Sequence, residues 1–186
     1  MSTPRFVSLS EIEAAIWIEL ARSVRDKQHA WRTPVLATTD GELGDARVVV
    51  LREASPDDKR LWVYTDHRSA KAAQLTAHPL GTLVMWSPAL GWQLRCRLRM
   101  QMVDSGLAVS SRWARIQLTP AANDYLSPAA PGAVLQAPFS RQQGTVALPH
   151  FAVIEAAVES LDWVELHVDG HRRAVFDDKG YRWLQP

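Results

Sequence analysis

The hydrophobic positions of this chain change period several times, and each change marks an element. Ile12, Ala15, Ile16, Leu20 and Val24 recur at helical spacing behind the capping-box pair Ser8 and Glu11, which predicts an amphipathic helix over Ser8–Asp26. Pro34-Val35-Leu36-Ala37-Thr38-Thr39 reads as a strand ending at the turn pair Asp40-Gly41. Gly44 reopens the chain, and residues 46–52 are expected to run back as the second strand of a hairpin. Within that return, Val48-Val49-Val50-Leu51 is wholly aliphatic, with Arg47 at one end and Arg52 at the other. Ser55-Pro56-Asp57-Asp58 is a polar turn before a strand over 60–65. Ser69 opens a helix to about Ala77, stopped at His78-Pro79 because a residue before proline disfavours the helical region. Residues 82–86 and 92–103 read as strands, and 106–117 as a helix.

From about 118 to 149 this order dissolves into Pro, Ala, Gly and Gln, and a long loop is expected. Short strands return over about 151–184, broken at Asp169-Gly170 and at Asp177-Asp178-Lys179-Gly180. No repeat or linker divides the chain, so residues 1–186 are read as one domain with its core at about 34–103. Many short antiparallel strands with a few helices predict a mainly β (α+β) fold, a β-barrel with peripheral helices.

Composition narrows the class. A chain of 186 residues, 47% hydrophobic and 22% charged, can bury a sizeable core. Its formal net charge of +1 suggests neither a nucleic-acid footprint nor an acidic tail. No run approaches ~18 apolar residues and the first residues lack a signal-peptide pattern, so neither membrane insertion nor secretion is expected. The single cysteine, Cys96, allows no intramolecular disulfide and fits a reducing cytoplasm. It stands between Arg95 and Arg97, which could lower a thiol pKa; a small half-buried strand residue is the commoner use. Eight tryptophans could cover a ring-shaped ligand or fill a core or subunit interface.

Four places carry candidate chemistry. Arg68 and Lys71 flank Ser69 at a helix start, where the helix dipole already favours an anion and basic residues oppose it. A phosphate or carboxylate would offset them, although exposed side chains in a solvated turn are the alternative. Arg47 and Arg52, five apart on one strand, would point to opposite faces and could share a ligand only at a strand end or subunit boundary. Trp86 and Trp92-Gln93-Leu94-Arg95 place indoles and an amide where a heteroaromatic ring could be packed and read. His167 and His171 lie across a turn, but no spacing completes a metal site, and an ordinary hairpin residue is the alternative to a proton shuttle at His171. No nucleophile elbow, Walker loop or dinucleotide glycine fingerprint is present.

Taken in order, these segments resemble the pyridoxamine 5'-phosphate oxidase family and its wider FMN-binding split-barrel relatives. The resemblance rests on Ala37-Thr38-Thr39-Asp40, the Arg47–Arg52 run, Val63-Tyr64-Thr65-Asp66, Ser69-Ala70-Lys71, His78-Pro79, Trp86 and Trp92-Gln93-Leu94. It is collinear from about Pro34 to Val103 and resumes at the C-terminal strands. It implies a six-stranded antiparallel split β-barrel, a homodimer with FMN at the interface, and an oxidoreductase with an unidentified substrate. The alternatives are a true pyridoxamine/pyridoxine 5'-phosphate oxidase or a non-catalytic flavin carrier or sensor. By position, the resemblance assigns Arg47, Val48, Leu51, Arg52, Tyr64, Thr65, Arg68, Ser69, Lys71, Gln93 and Arg173 to the cofactor. It assigns Arg112 and His171 to the substrate, and names no general base and no metal. The sequence departs from the family pattern at Ala70, in place of an arginine after the capping serine, at His167, in place of a tryptophan, and at Asp169, in place of a substrate-holding arginine.

Overall fold

Ser8 opens the first helix, α1 (Leu9–Arg25), by accepting the Glu11 N–H at 3.2 Å, while the Glu11 carboxylate accepts the Ser8 N–H at 3.1 Å. Both early orphan donors are thereby satisfied. The helix buries Ile12, Ile16 and Leu20 and ends on Arg22 and Arg25, whose charge suits its negative pole. The computed structural model describes residues 5–135 and 150–186.

After α1 come β1 (Val35–Thr39), β2 (Gly44–Val48), β3 (Leu51–Ser55), β4 (Arg60–Asp66), α2 (Ala70–Ala77), β5 (Leu80–Ser87) and β6 (Trp92–Val103). Then follow α3 (Leu107–Ile116), β7 (Phe151–Glu165), β8 (Arg172–Asp177) and β9 (Gly180–Leu184). Every pairing is antiparallel, in the order β2-β1-β5-β6-β7-β4-β3, with β8 and β9 added beyond β7. The expected mainly β fold with peripheral helices is present, drawn here as nine described strands. β7 organises it. One edge of β7 follows β6, whereas the other is shared, residues 151–157 pairing with β4 and residues 160–165 with β8. A register shift opposite Arg97 and Leu98 lies where β7 changes partner.

Three expectations need correction. The Arg47–Arg52 run is not one strand: β2 ends at Val48, β3 begins at Leu51, and Val49 and Val50 cross between them. The Val49 N–H donates to the Pro34 carbonyl at 2.9 Å, pinning the crossing to the start of β1. β2 pairs with β1 at one end of the sheet order and β3 with β4 at the other, so this aliphatic run is the seam of the barrel. Its burial is uneven, since Val49 and Leu51 are buried but Val48 is 65% exposed. Secondly, the C-terminal region does not begin with short strands; β7 is continuous over 15 residues. Thirdly, the expected loop of 118–149 contains a 3-10 helix, Pro120–Tyr125, that buries Ala122 and Tyr125. Residues 136–149 of that loop lie outside the described residues.

The core takes up several candidate side chains. Trp92 packs against Trp31, Trp163 and Phe6 at centroid distances of 6.4, 5.4 and 6.2 Å, so it is a core residue rather than a ligand platform. Cys96 is fully buried among them. Because side chains alternate along β6, its neighbours Arg95 and Arg97 lie on the opposite face. Burial therefore decides the thiol, pushing its pKa up and leaving it unreactive.

Candidate functional site

β4 and the start of α2 bring the first group together. Lys71 Nζ donates to Thr65 Oγ1 at 3.2 Å, and Thr65 Oγ1 lies 3.3 Å from Ser69 Oγ. Thr65 and Ser69 are buried. Ser69 is the N-cap of α2, yet its hydroxyl makes no capping bond. Burial lowers the Lys71 pKa, and the neighbouring Arg47 guanidinium lowers it further. Arg47 reaches this place from β2, donating to Thr38 Oγ1 and to Gln74 Oε1 (3.0 Å) and pairing with Asp45. Among the described residues no carboxylate pairs with Lys71. Two cations and two hydroxyls thus converge at a helix start, a donor set suited to a phosphate.

Arg68 does not join them. Its guanidinium grips Asp66 at 3.0 and 2.7 Å and donates to the carbonyls of Ser127, Pro128 and Ala129. Asp66 is desolvated, but the side-chain and backbone bonds from Arg68 outweigh burial and hold its carboxyl below the usual range.

A second group forms on β3, β4 and α3. Leu51 faces Val63 and Glu53 faces Trp62, so β3 carries one extra residue, Arg52, in a bulge. Arg52 lies over the Tyr64 ring, 5.6 Å from its centroid, and Glu53 accepts the Tyr64 hydroxyl at 2.6 Å. Arg112 closes the group from α3, donating to both Glu53 oxygens at 2.7 and 2.9 Å and to the Ala108 carbonyl at 3.0 Å. Tyr64, Trp113 and Tyr125 pack around Phe151. Burial and the bond to Glu53 both raise the Tyr64 pKa. Glu53 was not singled out from the sequence. A lone carboxylate after Arg52 gives no periodic signal, and its role depends on the bulge and on a helix some 60 residues away.

The third group lies at the far end of β7. Trp86, Gln93, Val164 and Arg173 occupy one cross-strand row, and Trp86 is 43% exposed. Arg173 shares Asp162 with Arg95, holding it through bonds of 3.0 and 2.8 Å. In the nearby turn, His171 Nδ1 accepts the His167 N–H at 3.2 Å and His167 Nδ1 accepts the Asp169 N–H at 3.1 Å, so both imidazoles are bound to local backbone.

Distance separates these groups. Thr65 pairs with Ala152 and Gln93 with Val164, which lie 12 residues apart on β7, roughly 40 Å along an extended strand. Lys71 and Tyr64 therefore belong to one end of the sheet, and Gln93, Arg173 and His171 to the other. A cleft of about 530 Å³ lies apart from all of them, between α1 and the turns of β7–β9, lined by Trp17, Leu161, Phe176 and Glu13. No described helix is long and apolar enough to cross a membrane.

Comparison with known proteins adds a family likeness. Residues 14–104 match the model of the pyridoxamine 5'-phosphate oxidase FMN-binding domain. A pyridoxine/pyridoxamine 5'-phosphate oxidase of Chromohalobacter salexigens is 38% identical over 90 residues, 48% of this chain and 40% of that protein. Its namesake from Azorhizobium caulinodans is 40% identical over 74 residues, 39% of this chain and 34% of that one. The chain thus spans well under half the length of these curated relatives. Among solved structures, a pyridoxamine 5'-phosphate oxidase-related FMN-binding protein of Nostoc punctiforme superposes with a TM-score of 0.72 at 24% identity, covering 93% of this chain and 96% of the other. PhzG of Burkholderia lata, solved with tetrahydrophenazine-1-carboxylic acid, gives 0.71 at 15% identity, covering 95% and 92%. At these identities the structural likeness establishes the fold alone, a split β-barrel.

Proposed function

We propose that this relative of the pyridoxamine 5'-phosphate oxidase family is an FMN-binding oxidoreductase that works as a homodimer on an unidentified small molecule. The observation that carries the reading is Lys71, half-buried beside Arg47, bonded to a hydroxyl and paired with no described carboxylate, with its pKa driven down by burial and by Arg47. A phosphate would supply the missing charge. Lys71, Arg47, Thr65 and Ser69 would hold it, with Val48, Leu51, Arg52 and Tyr64 following along the same seam. Gln93 and Arg173 would meet the flavin ring. Arg68 would contribute by exchanging part of its grip on Asp66.

The homodimer is supported by the separation along β7. Thr65 and Gln93 pair with β7 near its opposite ends, and a second copy would bring Gln93 and Arg173 to a flavin held at Lys71. The exposed side chains of Val48 and Trp86 fit such a contact. Bound FMN would supply a site that accepts or donates a hydride, and the protein would supply orientation and charge. The single buried thiol, Cys96, suits a reducing cytoplasm.

Purification tests the proposal. A yellow protein that sediments as a dimer and releases FMN on denaturation supports it. A colourless protein that takes up no added FMN overturns it. Formation of pyridoxal 5'-phosphate with consumption of oxygen would identify the substrate as the phosphorylated vitamer, and a flavin that no donor reduces would identify a carrier.

A further inference from the structure

Arg112 is a satisfied cation. Glu53 occupies its Nε and one terminal nitrogen, Ala108 O takes the other terminal nitrogen, and the guanidinium lies 5.5 Å from the Trp62 ring centroid. Its side chain is only 14% exposed. Glu155 adds a weaker attraction for it without bonding to it. Glu155 sits 3.5 Å from Arg60, and Arg115 and Arg52 add positive charge around Glu53 and Tyr64. An anion arriving at Arg112 would have to displace a two-oxygen carboxylate grip and strand that carboxylate against the half-buried Tyr64. Such exchange is disfavoured because the Glu53 carboxylate, on a side chain 29% exposed, would lose its cation and recover only part of its hydration.

We propose that Glu53 is a specificity-determining residue that closes Arg112 to anionic ligands. A compound handled beside the flavin is then one that brings no phosphate ester to Arg112. This rests on the flavin reading above, since it concerns what lies beside the cofactor. Glu53 works here as an internal counter-ion, holding by covalent tether the place that a substrate anion would otherwise take.

The test uses the flavin-loaded protein, its wild type compared with Glu53→Gln and Glu53→Asp. Glutamine keeps the size of the side chain and an acceptor for the Tyr64 hydroxyl while removing the charge. Each protein is titrated with pyridoxine and with pyridoxine 5'-phosphate, a pair that differs only by the phosphate. Calorimetry reads affinity, and the Arg112 Nε–H resonance reads the site directly. Wild type should show no preference for the phosphate ester and no movement of that resonance. Glu53→Gln should bind the ester at least tenfold more tightly than wild type does, with the Arg112 resonance shifting and pyridoxine affinity unchanged. Glu53→Asp should keep the wild-type preference. A wild type that favours the ester tenfold, or a Glu53→Gln resonance unmoved at millimolar ester, overturns the proposal. FMN uptake is measured first on all three, so loss of the flavin reading registers separately, and the Arg112 resonance can still be followed in flavin-free protein.

Discussion

Lys71 is held in the fold at a cost that a ligand can remove. Burial and Arg47 both depress its pKa, so the charged form is less welcome in the folded chain than in the unfolded one. With the folded value below the unfolded one, this penalty is full below the folded pKa and fades as pH rises through it. Replacing the charge should therefore not weaken the flavin-free protein. Lys71→Met is expected to match or exceed wild type in urea denaturation. It should bind FMN about 10- to 100-fold more weakly, the worth of a charge-assisted hydrogen bond at about 1.5–3 kcal/mol. A variant that unfolds earlier while keeping FMN affinity would show that Lys71 is structural. At this scale the sequence was informative where residue type alone conflicts with local physics, as with a lysine at the start of a helix. It was silent on Glu53, whose neighbours in space are remote in sequence.

Between residues and the whole chain, the elements depend on close backbone approaches. Gly81 in β5 is one. A Cβ there would stand 2.6 Å from the Ala37 carbonyl oxygen of β1 and 2.4 Å from the Met100 methyl of β6. The methyl can move, whereas the carbonyl belongs to a paired strand and cannot. Gly81→Ala is expected to lower stability by about 1–3 kcal/mol, as overpacking does, read as a fall in the urea midpoint at unchanged slope. Periodicity and caps made most elements legible: Ser8 with Glu11 marks α1, and β6 matches its alternating run residue for residue. The break between β2 and β3 was illegible. Four aliphatic residues satisfy a buried strand and a buried crossing equally, with no turn residue to tell them apart. The break carries into the site, because Arg47 and Arg52 stand on two strands rather than one.

Across the molecule, three carboxylates fasten outlying parts to the sheet. Asp66 holds Arg68, which grips the carbonyls of residues 127–129; Glu53 holds α3 through Arg112; Glu165 receives both Arg172 and Arg5. Burial works against Glu165 and Glu53, yet the bonds from their arginines, with Tyr64 helping at Glu53, prevail and keep both pKa values below the ordinary 4.5. For a depressed carboxylate, the stabilisation is complete above the unfolded value and is lost as pH falls through the folded one. Acidification below about pH 4.5 should therefore release α3 and the residue 5–6 segment before the sheet opens. Hydrogen exchange at falling pH should show amides of 107–116 losing protection while those of β6 keep theirs; simultaneous loss would count against the fastening role.

The divided edge of β7 also sets an order of events during synthesis. β4 and β6 leave the ribosome well before β7, and each needs β7 to fill its open side. Until then the nascent chain presents bare strand edges, the very surfaces that recruit other chains. Closure must then await a long-range pairing, which is slow by nature. A cell making this protein quickly has reason to keep that unfinished stretch in the care of a chaperone.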